Sequence, residues 1–159
     1  MEYTAAVITV SDLGSRGLRT DTSGPAVCAV LEEAGFRVIR TAMVPDEQAQ
    51  ISALLCACAD ETGAHLILTT GGTGLSPRDV TPEATLAVIE REVRAIPVAM
   101  WVEGLKITPR AMLSRAVAGT RGGSLIVNLP GSEKAARENL AAVLPALEHA
   151  LHMIAGEGH

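Results

Sequence analysis

The sequence predicts an α/β fold in which helices cover both faces of a mostly parallel sheet. Apolar, β-branched segments alternate with helical patterns along the whole chain, and this alternation is typical of strand–helix–strand units. The strand segments contain few polar residues, as expected where helices cover both faces of a parallel sheet. A chain of 159 residues suits one domain, which we expect to span residues 1–159.

Four strands can be placed from the apolar segments and the turn residues that bound them. They are predicted at Tyr3–Val10, Arg37–Val44, Ala64–Thr70 and Leu125–Leu129. The region Glu92–Thr120 is harder to interpret, because Pro97 and Pro109 divide it into short pieces. In parallel sheets, ligands bind beyond the carboxyl ends of the strands. We therefore expect the polar segments that follow the strands to converge on one edge of the sheet.

The helices are placed from capping signals. They are predicted from Ala26 to Ala34, from Asp46 to about Glu61, from Thr81 to about Arg91, and from Ser132 towards the C-terminus. Asp46, Thr81 and Ser132 each carry a side chain that can cap a helix N-terminus. Pro145 is expected to kink or split the last helix.

Composition and charge exclude several classes of function. The net charge is −5 and aromatic residues make up 2% of the chain, whereas nucleic-acid binders use clustered Lys and Arg and stacking aromatics. No apolar run approaches the ~18 residues of a membrane span. Cys28, Cys56 and Cys58 have no CxxC spacing and are interpreted as free thiols of a reducing compartment. We therefore expect a cytoplasmic protein that binds neither nucleic acid nor membranes.

The most informative segment, TTGGTGLSPRDVTPEAT, spans Thr69–Thr85. Gly71, Gly72 and Gly74, with Thr73 between them, allow backbone amides to approach an anion. A helix N-terminus follows and favours negative charge. The segment is neither a P-loop nor a GxGxxG fingerprint. We interpret it as a phosphate-binding loop, with a simple tight turn as the alternative.

Two acidic residues and one arginine accompany this loop. Asp79 and Asp46 are candidate ligands of Mg²⁺, a hard cation that proteins hold with one or two carboxylates plus substrate phosphates. Arg78 adds a positive charge that can bind phosphate. The simpler alternatives are a turn-stabilising role for Asp79 and a helix cap for Asp46.

Three further segments supply polar candidates. Ser11 and Asp12 follow the first strand, and Asp21 and Ser23 precede the first predicted helix, where they can bind polar groups of a substrate or cap that helix. In the irregular region, Ser114 can donate to an oxyanion, and Arg115 can bind phosphate. A second strand–turn–helix anion site is predicted at the end of the last strand, formed by Asn128, Pro130, Gly131 and Ser132.

These segments together resemble a known family. The block Thr69–Thr85, the SDLGS and DTSGP elements near the N-terminus, Thr108–Gly122 and Ser124–Ser132 are similar to molybdopterin adenylyltransferases of the MogA/MoaB type, and to the G domain of gephyrin. The resemblance covers nearly the whole chain in the same order. The GGTG and RDVTPEAT elements are its most specific part.

The resemblance implies a three-layer α/β/α fold and, usually, a homotrimer. It implies that ATP and molybdopterin, with Mg²⁺, give adenylylated molybdopterin and pyrophosphate, and that a molybdenum insertase of the MoeA type receives the product. By the same resemblance, residues 71–74 hold nucleotide phosphates, and Asp46 and Asp79 match the family's two catalytic acids. Ser114 and Arg115 match its LSR element, and residues 128–132 match a wall of the site.

Three positions depart from the family pattern. Glu133 stands where a proline is expected, and Arg19 stands where many relatives have an aromatic residue. The segment Ala95–Leu105 looks shorter than its counterpart, with Trp101 in place of an arginine. This departure keeps a second hypothesis open, a non-catalytic pterin-binding trimer that acts as a scaffold. A third is a related domain that acts on another nucleotide.

Overall fold

The computed structural model describes residues 2–157 and contains one six-stranded sheet. Its strands are β1 (Thr4–Val10), β2 (Arg37–Val44), β3 (Leu66–Thr70), β4 (Arg91–Glu92), β5 (Ala118–Arg121) and β6 (Ser124–Leu129). Their order across the sheet is β2-β1-β3-β6-β5-β4. Strands β2, β1, β3 and β6 are parallel, while β5 runs antiparallel to β6 and β4 antiparallel to β5. The four predicted strands and the mostly parallel sheet are confirmed.

The described residues also contain six α-helices, one π-helical turn and one 3₁₀ helix. The helices are α1 (Asp12–Ser15), α2 (Ser23–Glu33), α3 (Gln48–Cys56), α4 (Thr81–Leu86), α5 (Ala95–Leu105) and α6 (Glu133–Ile154). A π-helical turn, Ala57–Glu61, extends α3, and a 3₁₀ helix, Pro109–Leu113, follows α5. Among the described residues, no helix has the length and apolar character that a membrane span requires.

Alternating side chains of the central strands build two cores, one on each face of the sheet. Ala5 and Val7 of β1 pack in the first core together with buried residues of α2, α5 and α6. Ala6 and Ile8 of the same strand pack in the second core with buried residues of α3 and α4. The period-two alternation of a strand therefore produces the predicted three-layer α/β/α arrangement.

The first predicted helix, α2, begins at Ser23 rather than Ala26, and three further helix starts or ends are wrong in detail. The second predicted helix, α3, begins at Gln48. Asp46 does not cap it, because the Asp46 carboxylate accepts a hydrogen bond from the Asp12 amide instead. Thr81 is the first residue of α4 rather than its cap, and its hydroxyl donates to the Gly71 carbonyl oxygen at 3.0 Å. The α4 helix ends at Leu86, before the two-residue strand at Arg91.

The last helix is confirmed at its start and corrected in its middle. Ser132 caps α6, since its hydroxyl oxygen accepts a hydrogen bond from the Ala135 amide at 3.1 Å. The helix runs unbroken through Pro145 to Ile154, so Pro145 does not split it. The proline removes one backbone donor, while buried apolar residues before and after it, including Val143 and Leu147, hold the helix against the sheet.

Candidate functional site

A cleft of about 530 Å³ lies at the carboxyl ends of the parallel strands. Its floor includes the last residues of β1 and β3, as expected for a sheet of this kind. Eleven of the residues singled out from the sequence line it: Ser11, Asp12, Asp21, Ser23, Asp46, Gly71, Gly72, Arg78, Asp79, Gly131 and Ser132. Six others lie outside its lining: Thr73, Gly74, Ser114, Arg115, Asn128 and Pro130.

The glycine-rich loop, residues 71–74, is shaped by close backbone approach. Gly71 and Gly72 have φ angles of +95° and +70°, a region that favours glycine. A Cβ atom on Gly71 would collide with the Val10 carbonyl oxygen, and one on Gly72 would collide with the Thr81 hydroxyl. The Gly71 amide donates to the Leu129 carbonyl oxygen at 3.1 Å. Gly71 therefore shapes the floor of the cleft, while its own amide belongs to the sheet.

Asp12 and Asp46 are joined by two reciprocal hydrogen bonds. The Asp12 amide donates to Asp46 Oδ2 at 2.9 Å, and the Asp46 amide donates to Asp12 Oδ1 at 3.0 Å. Asp12 begins α1 after β1, and Asp46 follows β2, which is the neighbour of β1 in the sheet. The pair ties together the two loops that leave these strands and fixes the position of the Asp46 carboxylate.

Arg78 is held by acids of the protein itself. Its Nε and Nη2 atoms donate to the two Asp12 carboxylate oxygens, both at 3.0 Å, and Nη2 also donates to Glu47 Oε1 at 2.8 Å. The hydrogen bond from Arg78 holds the pKa of Asp12 below its usual value. Bidentate pairing of this kind fixes geometry, so Arg78 positions Asp12 and, through it, Asp46.

Three acids of the cleft, Asp21, Asp46 and Asp79, form no ion pair in the described part of the chain, and the last two lie against Gly72 and Gly74 of the glycine-rich loop. Burial raises the pKa of Asp46, and the negative charges of Asp12 and Asp79 raise it further. Asp79 Oδ2 accepts a hydrogen bond from the Ser76 amide at 3.0 Å. The electrostatic coupling places the two carboxylates in one neighbourhood, where a cation would relieve their repulsion.

The cleft as a whole is acidic. Its lining contains five carboxylate side chains, Asp12, Asp21, Asp46, Asp79 and Glu133, but two arginines, Arg19 and Arg78. A cleft lined by one sign of charge attracts ions of the other sign and repels its own. A polyphosphate would therefore be repelled here unless a cation accompanied it.

The back of the glycine-rich loop is held by Arg115. The Arg115 Nε atom donates to the Gly74 carbonyl oxygen and Nη2 to the Asp79 carbonyl oxygen, both at 2.8 Å. Its Nη1 atom donates to Glu83 Oε2 at 2.7 Å, and its amide donates to the Thr73 carbonyl oxygen. These contacts fix the loop from behind, so in this structure the guanidinium of Arg115 is occupied by the protein.

Asn128 is also a structural residue of the loop. It is fully buried at the end of β6. Its Nδ2 atom donates to the hydroxyls of Thr69 and Thr85, both at 3.0 Å, and its Oδ1 atom accepts from the Val117 amide at 3.1 Å. Three elements thus meet on one amide, and the side chain supports the cleft without facing it.

Ser114 and Pro130 border the loop without lining the cleft. Ser114 ends the 3₁₀ helix, and its hydroxyl oxygen accepts a hydrogen bond from the Ala116 amide at 3.3 Å. Pro130 leads from β6 into Gly131, which does line the cleft and whose carbonyl oxygen accepts from the Ser23 hydroxyl.

Some residues of the cleft were not singled out from the sequence. Thr9, Met43, Thr70 and Ser76 line it. Thr9, Met43 and Thr70 are at or next to the last positions of β1, β2 and β3, so the strand ends themselves were the available signal. Of the three departures from the family pattern, Arg19 and Glu133 line the cleft, whereas Trp101 is outside it, in α5.

Comparison with known proteins places this cleft in a family context. Residues 6–149 match the family model described as "Probable molybdopterin binding domain". The molybdopterin adenylyltransferase of Haemophilus influenzae is 46% identical over 86% of this chain and 71% of its own length. The corresponding protein of Helicobacter pylori strain 26695 is 41% identical over 94% of this chain and 86% of its own length.

A longer relative and a solved structure complete the comparison. Gephyrin of Dictyostelium discoideum is 44% identical over 96% of this chain, but the chain spans only 23% of that protein. The crystal structure of the molybdopterin biosynthesis enzyme MoaB of Thermus thermophilus has a TM-score of 0.92 and 51% identity, with 97% of each chain covered. The mostly parallel sheet, with its cleft at the strand ends, is consistent with these matches. The chain belongs to the molybdopterin-binding domain family.

Proposed function

We propose that this chain is a molybdopterin adenylyltransferase of molybdenum cofactor biosynthesis. It transfers the adenylyl group of ATP to the phosphate of molybdopterin and releases pyrophosphate. The relatives that carry this name match most of the chain. The structural observation that carries the proposal is the pair Asp46 and Asp79, two carboxylates without cationic partners in the described part of the chain, beside a glycine-rich loop.

The chemistry of the site fits Mg²⁺. Carboxylate oxygens are the protein ligands that this cation prefers, and it usually takes one or two of them together with water and substrate phosphates. Among residues 2–157 there is no group of three or more His, Cys, Asp and Glu side chains that could hold a metal ion. Asp46 and Asp79 would therefore hold Mg²⁺ together with the nucleotide. The bound cation would supply positive charge against the phosphates in an acidic cleft.

The reaction needs no nucleophile from the protein. An oxygen of the molybdopterin phosphate forms a bond with the α-phosphorus of ATP. The bond from that phosphorus to the oxygen bridging the α- and β-phosphates breaks, and pyrophosphate leaves with the electron pair. Transfer of this kind depends on alignment and on neutralised charge, which fixed carboxylates and a shaped loop can provide.

The remaining residues of the cleft position these groups. Asp12 and Arg78 hold Asp46 in place through the reciprocal backbone bonds and the bidentate ion pair. Gly71 and Gly72 keep the floor open, because any side chain there would collide with its surroundings. Ser132 and Gly131 bring the N-terminus of the 22-residue α6 to the cleft, and the dipole of a long helix favours bound phosphate at that end.

Assembly and location follow the same proposal. We infer a homotrimer in the cytoplasm that passes its product to a molybdenum insertase of the MoeA type. Exposed apolar side chains on α5 and the segment after it, Val98, Val102, Leu105, Ile107 and Met112, support association with other chains. Free thiols at Cys28, Cys56 and Cys58 suit a reducing compartment. Light scattering on the purified protein measures the number of subunits directly.

Purified protein with ATP, Mg²⁺ and molybdopterin tests the activity, followed by pyrophosphate release and by adenylylated molybdopterin. We expect release that depends on molybdopterin, and loss of it when EDTA removes divalent cations. If the protein binds molybdopterin but releases no pyrophosphate, it is a scaffold rather than a transferase. Trp101, part of the motive for that scaffold, lies in α5 outside the lining of the cleft.

A further inference from the structure

A second cavity adjoins the cleft and shares residues with it. Its volume is about 350 Å³, and its lining is mainly apolar, with Val7, Pro25, Cys28 and Ala42 around it. Thr9, Asp21 and Met43 line both this cavity and the cleft. The second cavity is therefore a side chamber of the cleft, and Asp21 contributes the only carboxylate of its described lining.

The carboxylate of Asp21 is fixed in place. The Thr9 hydroxyl donates to Asp21 Oδ2 at 2.7 Å, and the Gly24 amide donates to Asp21 Oδ1 at 3.0 Å. Gly24 lies in the first turn of α2, where a Cβ atom would collide with the Asp21 carboxylate and stand 2.6 Å from the Thr9 hydroxyl. Glycine at this helical position is unfavourable by itself. Its absence of a side chain is what leaves room for Asp21 and Thr9 to meet.

The two bonds leave Asp21 able to accept two more. A carboxylate has about four acceptor sites, two on each oxygen, and the protein uses one on each. Asp21 lines a chamber whose other walls are mostly apolar, the usual surroundings of a flat ring bound by a few polar groups. A ligand that offers two adjacent N–H donors matches such a carboxylate in the way an arginine does.

Resting on the proposed function, we propose that Asp21 is the residue that selects the pterin ring of the substrate. A pterin presents its 2-amino group and its N3–H side by side, so both point as donors towards one carboxylate. Adenine presents a donor beside an acceptor on its corresponding edge, and the acceptor would meet the carboxylate unfavourably. The chamber therefore accepts the pterin and disfavours the base of ATP.

A pair of small ligands tests the selection on the unmodified protein. Pterin and lumazine have the same bicyclic shape, but lumazine has a carbonyl in place of the 2-amino group. We expect the native protein to bind pterin about 10- to 100-fold more tightly than lumazine, measured by quenching of ligand fluorescence, because a charge-assisted hydrogen bond is at stake. Equal binding, or no binding of pterin, overturns the proposal.

The variant Asp21→Asn sharpens the test. An amide offers one donor and one acceptor, so the variant should lose the preference for pterin and shift towards lumazine. Its KM for molybdopterin should rise about tenfold or more while its KM for ATP stays unchanged. Glu33→Gln is the matched control, since it removes an exposed carboxylate at the other end of the same helix. Unchanged KM values in Asp21→Asn overturn the proposal.

Failure of this inference and failure of the proposed function give different results. If the native protein adenylylates molybdopterin but does not prefer pterin to lumazine, the proposed transferase activity is supported and the proposed role of Asp21 is refuted. If it prefers pterin to lumazine but does not release pyrophosphate, selection of the pterin by the chamber is supported and the proposed transferase activity is refuted. Circular dichroism and the melting temperature of Asp21→Asn show whether the variant is folded, and the ligand comparison on the native protein is independent of that result.

Discussion

The two sides of the glycine-rich loop are built in opposite ways. Towards the cleft, Asp46 and Asp79 form no ion pair within the described residues, and their mutual repulsion is part of what raises the pKa of Asp46. Behind the loop, the donors of Arg115 and Asn128 are bonded to protein carbonyl, hydroxyl and carboxylate oxygens. The carboxylates on the cleft side are free to bind a cation, whereas the hydrogen-bond donors behind the loop already have protein partners. Residues of the family-like segments therefore divide into those that line the cleft and those that hold the loop.

Replacing Asp79 or Asp46 by Asn should reduce catalysis without unfolding the protein. We expect kcat to fall about a thousandfold, because a charged group that neutralises the transferring phosphates is lost. The fold should survive, since an amide oxygen can still accept the bonds from the Ser76 and Asp12 amides. Steady-state pyrophosphate release and thermal melting measure the two effects.

Asp60→Asn is the matched control for this pair. Asp60 pairs with Arg121 on the surface and does not line the cleft, so its variant should keep full turnover. Turnover close to the native value in Asp79→Asn would contradict the role assigned to that carboxylate.

Replacing Asn128 by Ala should break the structural side. The change leaves the Val117 amide and the Thr69 hydroxyl without their Asn128 partner in a fully buried place, while the Thr85 hydroxyl keeps its bond to the Thr81 carbonyl oxygen. We expect a loss of about 2–4 kcal/mol in the free energy of unfolding, measured by urea denaturation. Asn139→Ala, which loses one bond to the Ala135 carbonyl oxygen on α6, should cost much less. Equal losses in the two variants would mean that the buried network does not stabilise the fold.

The smallest effect should be a pH dependence of stability that separates Asp46 from Asp12. Burial raises the pKa of Asp46, so its contribution is full below the pKa of the unfolded chain and is lost as the pH rises through the folded pKa. Arg78 lowers the pKa of Asp12, so its contribution is present at neutral pH and is lost as the pH falls through the folded pKa.

Urea denaturation of Asp46→Asn and Asp12→Asn between pH 3 and 7 tests this contrast. Relative to the native protein, Asp46→Asn should gain stability as the pH rises and Asp12→Asn should lose it. Each difference should be small, because solvent screens these charges. Parallel curves for the two variants would contradict the opposite shifts.

The same contrast explains what could be predicted from the sequence. Buried strands such as Leu125–Leu129 are apolar except for Asn128 and were placed within a residue or so. The strand Arg91–Glu92 has two residues and the strand Ala118–Arg121 has four, one of them a glycine. Segments this short show no periodicity, so the antiparallel edge of the sheet was not predicted.

For the site, the sequence identified eleven residues that line the cleft but did not show which way each side chain points. Asp79 lines the cleft, while Arg115, from an equally family-like segment, binds the loop from behind. Direction depends on packing between elements distant in the chain, as at Asn128, whose partners lie 11, 43 and 59 residues away. A motif records which residues are present, and the tertiary contacts decide their orientation.

The reciprocal bonds between Asp12 and Asp46 have a consequence for motion. Each amide donates to the carboxylate of the other residue, so neither loop can swing outward without breaking both bonds at once. Any opening of the loop after β1 would therefore have to carry the loop after β2 with it. The Asp46 carboxylate, which lines the cleft, is also one of the two acceptors that join these loops.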